Sequence, residues 1–143
     1  MRIPEDRYYS EHHLWVKRLR GNKALIGLTE VGQLTLGEIL DLELPEEGDE
    51  LEREEAFGSV ESSRGVVDLI SPITGKVIAI NEEILDSPDI INEDPYDEGW
   101  LLKVALDDPE ELEELLSPDD YEDIVADIEI PVEEEFELEE IEE

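Results

Sequence analysis

The sequence has no cysteine, and only 10 of its 143 residues are lysine or arginine. Without cysteine there is no disulfide framework, no thiolate metal ligand and no thiol nucleophile. No apolar run approaches the roughly 18 residues of a membrane-spanning helix, and the first residues lack the apolar stretch of a secretory signal. The length suits one domain with a real core. These features predict a cytoplasmic protein with no membrane segment.

Acidic residues are abundant, with 44 aspartates and glutamates giving a net charge of −34. A surface of this charge repels nucleic-acid phosphates and anionic membranes and favours basic partners. The excess is concentrated late in the chain, because no basic residue follows Lys103 and 20 acids lie between Asp107 and Glu143. We therefore expect protein partners and no nucleic acid.

Short β segments separated by turn residues occupy the chain from Tyr8 to Lys103. A hairpin is predicted around Arg20–Lys23, and Thr29 offers an N-cap for a helical turn over Glu30 to Leu34. Further strands are predicted at residues 39–44, 56–60, 66–70, 76–80 and 100–104. Many short strands at regular spacing indicate a β-barrel or sandwich.

The periodicity changes after the last predicted strand. Asp107–Glu111 resembles a helix start, with Leu112, Leu115 and Leu116 on one face. A second helix is predicted to begin at Ser117, with Tyr121, Ile124 and Val125 on one face. Residues 127–143 carry ten acids and no base, which indicates a solvated tail. The predicted organisation is a domain over residues 1–126 and an acidic tail over 127–143.

Several segments resemble, in order along the chain, motifs of the glycine cleavage H-proteins, and together they cover about residues 7 to 126. The hairpin segment at residues 58–75 is similar to that family's G-S-V-E-S-V-K-A-A-S-D-L followed by S-P-x-x-G. Other matching segments are residues 13–16 (family H-E-W-V), 26–29 (V-G-I-T), 44–48 (L-P-x-x-G) and 92–101 (N-x-D-P-Y-G-x-G-W-L).

The resemblance implies a hybrid barrel-sandwich of two small β-sheets, mainly β and similar to lipoyl domains, with short C-terminal helices. It implies a carrier protein and not an enzyme. In this family a lipoyl arm on a lysine moves an aminomethyl group between the decarboxylase, the aminomethyltransferase and a lipoamide dehydrogenase. We expect a monomer whose partners are glycine cleavage proteins or another lipoate-dependent assembly.

The family's lipoyl-accepting lysine falls on Arg64 in this sequence. The register is fixed by Gly58–Ser62 before it and by Asp68 after it. A guanidinium stays protonated and is a poor nucleophile, whereas acylation needs a neutral primary amine. No lysine lies between Lys23 and Lys76, so we predict no covalent lipoate on this hairpin. The alternative is that Arg64 is a solvated surface residue with no specific role.

Glu61 and Gly75 match positions through which lipoylating enzymes recognise the family hairpin. Without the acceptor lysine, we expect them to act as ordinary hairpin and turn residues. Val66 and Val67 replace small residues of the family. They predict either sheet packing or a changed contact surface, and packing is the preferred interpretation.

Metal and catalytic sites are weakly supported by the sequence. His12 and His13 adjoin one another on an extended segment, where their side chains point to opposite faces and cannot easily share an ion. Acid pairs such as Glu46-Glu47 lack the spacing of a calcium-binding loop. Trp100 is assigned to the core. With no nucleophile triad, phosphate loop or metal set, we predict neither catalytic residues nor a metal.

Two hypotheses for function follow. The leading one is a non-enzymatic H-protein-like fold that lacks the arm and serves as a partner-binding scaffold, competitor or regulator. The alternative is a working lipoate-dependent carrier in glycine decarboxylation, with its arm attached elsewhere or bound without a covalent link.

Overall fold

The computed structural model describes residues 3–126. The strands are β1 Tyr8–Tyr9, β2 Leu14–Leu19, β3 Lys23–Leu28, β4 Ile39–Glu43, β5 Glu50–Leu51, β6 Ala56–Ser62, β7 Gly65–Ile70, β8 Gly75–Ile80 and β9 Leu102–Leu106. The helices are α1 Glu30–Leu36, α2 Glu82–Asp86, α3 Asp89–Glu93 and α4 Pro118–Val125, with a 3₁₀ helix at Pro109–Glu114. The predicted acidic tail at 127–143 lies outside the described residues.

The strands form two antiparallel sheets. One has six strands in the order β1-β2-β3-β9-β8-β5, and the other has three in the order β4-β6-β7. Buried side chains of both sheets meet in one apolar core, with Val16, Ile26 and Val104 from the larger sheet and Leu42 and Val60 from the smaller. The result is an unclosed sandwich with a few short helices, which confirms the predicted mainly β fold.

A second buried cluster attaches the C-terminal helix to the larger sheet. The rings of Tyr9 and Tyr121 stack with centroids 4.8 Å apart, and Trp15 belongs to the same cluster. The Trp15 indole Nε1 donates to the Pro95 carbonyl oxygen at 2.9 Å, so the buried N–H is satisfied. Aromatic packing therefore holds α4 in place, as its short length requires.

Several local predictions are confirmed. The hairpin β2–β3 turns through Gly21 and Asn22, both with positive φ. Thr29 caps α1 by accepting from the Gly32 backbone N–H at 3.0 Å, and Ser117 caps α4. The strand predicted at residues 39–44 is β4, and an irregularity in its register between Ile39 and Asp41 accompanies an exposed Leu40.

The α-helix predicted to begin near Asp107 is wrong in type. The segment is a 3₁₀ helix in which Leu112 is buried, and Leu115 already has extended backbone at its C-cap. Leu116 then pairs with Tyr9 as an isolated β-bridge, so the three leucines do not share one helical face. In α4, Tyr121 and Val125 are buried, whereas Ile124 is exposed. Pairing with the sheet has overridden the helical spacing.

Four short elements were not predicted: β1, β5, α2 and α3. None has more than five residues, which is too short to show periodicity. The bounds of the last predicted strand are also wrong, because β9 begins at Leu102 and not at Trp100. Of the unpredicted elements, α3 matters for the site, since it carries Asn92.

Candidate functional site: the β6–β7 hairpin

The hairpin β6–β7 turns through Ser63 and Arg64 alone, because Ser62 and Gly65 are already paired across the ladder. The buried Ser62 hydroxyl accepts from the Arg64 backbone N–H at 3.2 Å. It also donates to the Gly65 carbonyl oxygen at 3.1 Å. The turn is shorter than the five residues left between the predicted strands 56–60 and 66–70, and the Ser62 side chain fixes its backbone.

The tip of the hairpin rests on the segment that joins α1 to β4. The Ser63 backbone N–H donates to the Glu38 carbonyl oxygen at 2.9 Å. In return, the Glu38 backbone N–H donates to the Ser63 hydroxyl at 3.2 Å. Gly37 lies directly beneath, because a Cβ placed there would be 2.7 Å from the Ser63 Oγ. Residue 37 must therefore be small for the tip to sit this close.

Arg64 binds the C-terminal end of α1. Its Nη1 donates to the carbonyl oxygens of Leu34 and Thr35, at 2.8 and 2.9 Å. The last four carbonyls of a helix have no partner within the helix, and a cation near them is favoured by the helix dipole. The last turn of α1 contains no basic residue of its own. The guanidinium thus acts as a C-terminal cap that reaches α1 from another element.

Two residues of the segment 92–101 hold α1 at its two ends. At the first turn, the Tyr96 hydroxyl accepts from the Glu30 backbone N–H at 2.9 Å. At the last turn, the Asn92 side-chain N–H donates to the Gly37 carbonyl oxygen at 2.9 Å. Asn92 also accepts from the Ile39 backbone N–H at 2.9 Å, at the start of β4. This segment positions the helix on which the hairpin tip rests.

Within residues 3–126, no primary amine lies at the hairpin tip. All four lysines of the sequence lie on strands of the six-stranded sheet, and the hairpin belongs to the other sheet. They are Lys17 on β2, Lys23 on β3, Lys76 on β8 and Lys103 on β9. The residues present at the tip therefore do not fit an amide-linked lipoyl group, whose attachment requires such an amine.

The two proposed recognition residues are placed on different sheets. Glu61 is exposed on β6 of the smaller sheet, in the same row as Asp41 and Val66. Gly75 is buried at the first position of β8, and a Cβ there would be only 2.4 Å from the Ala105 carbonyl oxygen. Close approach of β9 is thus a sufficient structural reason for glycine at residue 75.

The preferred interpretation of Val66 and Val67 as sheet-packing residues is wrong. Their exposed fractions are 68% and 46%. They lie at the tip end of β7, beyond the part of the strand whose Leu69 reaches the core. The alternative interpretation, an altered contact surface, is the one compatible with this exposure.

The histidines occupy separate environments. The His13 Nδ1 is hydrogen-bonded at 2.8 Å to the hydroxyl of Tyr121, a member of the second cluster. The His12 Nε2 lies 3.6 Å from a Glu54 carboxylate at the surface. Within residues 3–126, no group of three or more acidic or histidine side chains is arranged to hold a metal ion. Trp100, assigned to the core from sequence, is half-buried against the second cluster.

Comparison with known proteins agrees with this architecture. A family model described as "Glycine cleavage H-protein" matches residues 7–128. The chain belongs to this family. The glycine cleavage system H protein of Carboxydothermus hydrogenoformans is 46% identical over 123 residues, covering 86% of this chain and 94% of the relative. That of Staphylococcus carnosus is 46% identical over 126 residues, covering 88% and 99%.

A solved structure supports the same assignment. The crystal structure of a glycine cleavage system H protein from Mycobacterium marinum matches with a TM-score of 0.80 at 33% identity, over 87% of this chain and 99% of that one. Members of the family carry lipoate and are carriers, not catalysts. In the part of the chain that the structure describes, no helix has the length and apolarity to cross a membrane.

Proposed function

We propose that this chain is a non-enzymatic, H-protein-like component of the glycine cleavage system or of another lipoate-dependent assembly, and that its hairpin carries no covalent lipoate. It binds partner proteins as a scaffold, competitor or regulator. Family membership supports the assembly. The absence of lipoate rests on residue 64 being the family's attachment position, which the hairpin motif predicts.

One observation carries the proposal: the Arg64 guanidinium donates to two carbonyl oxygens at the end of α1. An attachment residue must project from the tip so that its arm reaches several partner sites. A side chain bound to its own domain does the opposite. In this proposal residue 64 has changed from an attachment point to a residue that fixes the tip.

We also propose that the protein is a monomer in the cytoplasm, and the large net charge supports the monomeric state. Two copies that each carry a net charge of −34 repel one another, and this opposes self-association. The same charge attracts partners with basic surfaces. Complementary charge then speeds association and disfavours acidic partners, while the shape and apolar contacts of the partner-facing surface add to the selection.

The decisive experiment is the intact mass of the protein purified from its native cell. An unmodified mass is the expected result, and it would also exclude the alternative carrier with an arm on one of the four lysines. A mass increased by a lipoyl group would overturn the proposal. Peptide mapping of the modified protein would then identify which of Lys17, Lys23, Lys76 or Lys103 carries it.

Affinity capture from the same cell tests the partner. The tagged full chain should retain an enzyme of the glycine cleavage system or of another lipoate-dependent assembly, and the tag alone should not. Capture of neither kind of enzyme would contradict the partner assignment even if the mass is unmodified. The two experiments therefore test the missing arm and the partner separately.

A further inference from the structure

Strand β7 is an edge of the three-stranded sheet. Among the described residues it pairs with β6 on one side and with no strand on the other. In an antiparallel ladder, alternate residues direct their N–H and C=O groups away from the paired strand. The six residues Gly65–Ile70 therefore present a row of backbone donors and acceptors along their open side. Such a row is a template for an added strand.

The composition of β7 favours that addition. Val66 and Val67 are exposed, and both are β-branched residues that prefer extended backbone. Natural edge strands are usually blunted by lysine, by proline or by a covering element. Here Asp68 is the only charged residue in the strand. Four consecutive exposed residues, 65–68, include two apolar side chains beside a single carboxylate.

The solvent face of the same sheet is acidic. Leu42 and Val60 are buried, so the residues next to them in β4 and β6 point to the opposite, outer face. Neighbouring strands place Asp41, Glu61 and Val66 in one row of that face, and Glu43, Ser59 and Asp68 in the next. All of these residues except Asp68 line a shallow groove of about 280 Å³.

No basic side chain offsets these carboxylates within the sheet. The strands β4, β6 and β7 contain no lysine or arginine. Asp41 and Glu61 are directly opposite one another, an arrangement of like charges that destabilises a sheet. A cation placed over this face would relieve that repulsion. Exposed Val66 stands at the border between the acidic face and the open edge.

We propose that β7 accepts an extended segment of a basic partner protein as a fourth strand of this sheet. Lysine or arginine at alternate positions of that segment lies over the acidic outer face. Apolar residues at the positions between them pack beside Val67 on the other face. The inference rests on the proposed partner-binding function and specifies the partner as a segment of alternating basic and apolar residues.

Charge favours a basic partner segment over the two other possible occupants, a second copy of this chain and residues 127–143 of the same chain. A second copy pairing through β7 would bring the Asp68 carboxylates together between two chains of net charge −34. Residues 127–143 of the same chain hold ten acids and no base, so they would place further carboxylates over Asp41 and Glu61. A basic segment alone turns the charge of this face into an attraction.

The test uses a synthetic peptide of four Lys-Val repeats and the isotope-labelled full chain. Nuclear magnetic resonance measures both the dissociation constant and the hydrogen exchange of each β7 amide. We expect exchange of alternate β7 amides to slow by about tenfold at saturation, since only those facing the open edge gain a partner. A control peptide with every backbone amide N-methylated keeps the charge but cannot extend the ladder in either orientation. It should bind without this protection.

A pair of charge-reversed proteins adds a matched control. Asp68→Lys places a positive charge at the proposed edge, and Glu47→Lys makes the same change in the exposed segment between β4 and β5. Charge reversal at residue 68 should weaken binding of the Lys-Val peptide about fivefold, equivalent to about 1 kcal/mol. Charge reversal at residue 47 should change the dissociation constant by less than about twofold, because salt screens the interaction between distant charges.

Three outcomes would overturn strand addition. Equal binding of both peptides, with no alternating protection, would mean that charge alone attracts them. Protection of β7 that rises with protein concentration in the absence of peptide would identify a second copy as the occupant. Alternating protection in the dilute free protein would mean that the chain already covers its own edge. None of these outcomes bears on the intact mass, which tests the missing arm independently.

Discussion

The Nη1 atom of Arg64 lies 2.8 Å from the Leu34 carbonyl oxygen, and this contact joins the tip of a β-hairpin to the end of a helix in another part of the chain. Because the side chain is exposed, water screens and competes with the interaction. We predict that Arg64→Ala lowers the free energy of unfolding by about 0.5–1 kcal/mol, through loss of a charged helix cap. Urea unfolding followed by circular dichroism measures this change.

Arg20→Ala is the matched control for that measurement. Arg20 is also an exposed arginine at a hairpin turn, between β2 and β3. Its removal changes the net charge equally and should alter stability by less than about 0.5 kcal/mol. Equal losses in the two variants would show that general charge repulsion, not capping of α1, accounts for the effect.

Close contact beneath the tip predicts a difference between two glycines. Gly37 and Gly48 both have positive φ, 86° and 95°, so alanine at either position is strained by about 1 kcal/mol. A Cβ at residue 37 would also approach the Ser63 Oγ, whereas one at residue 48 would meet nothing within 4 Å. Gly37→Ala should therefore cost about 1 kcal/mol more than Gly48→Ala.

The shifts of the Ser63 and Arg64 amide resonances provide the second readout for this pair. Both should move in Gly37→Ala and stay in place in Gly48→Ala. Equal destabilisation by the two alanines, with an unmoved tip, would mean that the tip does not depend on contact with residue 37.

Local features of the fold were predictable from sequence because their causes are local. The Thr29 cap, the Gly21-Asn22 turn and the Ser117 cap each depend on residues within a few positions of one another. Strand boundaries were also predictable where Pro, Gly or a cluster of acidic residues ends an alternating apolar pattern. The 3₁₀ helix was mistaken for an α-helix because its leucine spacing fits both, and the bridge between Leu116 and Tyr9 joins residues far apart in sequence.

The position of the Arg64 side chain could not be predicted by the same means. Leu34 and Arg64 are 30 residues apart, and their contact exists only after α1, held by Asn92 and Tyr96, has been placed beside the hairpin. Exposure of Val66 and Val67 was missed for a related reason. Apolar residues in a strand predict burial unless the position of the sheet edge is known, and strand order is a property of the whole fold.

Substitution of Gly75 should lower stability, whereas substitution of Glu61 should leave it nearly unchanged. Gly75→Ala would bring a Cβ to 2.4 Å from the Ala105 carbonyl oxygen, a backbone atom that cannot rotate away. We predict a loss of about 2–3 kcal/mol in unfolding free energy. Glu61→Gln, at an exposed position facing Asp41, should leave stability within about 0.5 kcal/mol of the native value. Thermal unfolding of both variants tests the structural role of Gly75, and a tolerated alanine there would contradict it.

His13 should make stability depend on pH. Burial, and to a smaller degree the neighbouring His12, lowers the pKa of His13 from its ordinary value of 6.5. The unfolded chain therefore binds a proton at a higher pH than the folded protein does. The stability that the neutral ring contributes is complete above pH 6.5 and is lost as the pH falls from there towards the lowered folded-state pKa.

Urea midpoints measured between pH 7.5 and 5 compare His13→Gln and His12→Gln with the native chain. Carboxylates titrate in all three proteins, so the difference between their slopes isolates the histidine. We expect the decrease below pH 6.5 to flatten in His13→Gln and to persist largely in His12→Gln, whose ring is at the surface. An unchanged slope in His13→Gln would show that His13 does not cause the decrease.

A lysine introduced at residue 64 should accept a lipoyl group. The Arg64→Lys side chain ends in a primary amine, which is neutral and nucleophilic a small fraction of the time. It would stand at the tip of a hairpin whose backbone is fixed by Ser62 and by the Ser63–Glu38 pair. We predict that a lipoate ligase, supplied with lipoate and ATP, adds one lipoyl group to Arg64→Lys and none to the native chain, as measured by intact mass.

Arg20→Lys, with a new lysine at the β2–β3 turn, is the control for this gain and should remain unmodified. Failure to modify Arg64→Lys would show that the surface around the tip has also changed. The exposed Val66 and Val67, at positions where the family has small residues, are the first candidates for that block. Combining Arg64→Lys with Val66→Ala and Val67→Ala separates the possibilities. Modification of the triple variant alone would assign the block to these valines, whereas an unmodified triple variant would assign it to other residues around the tip.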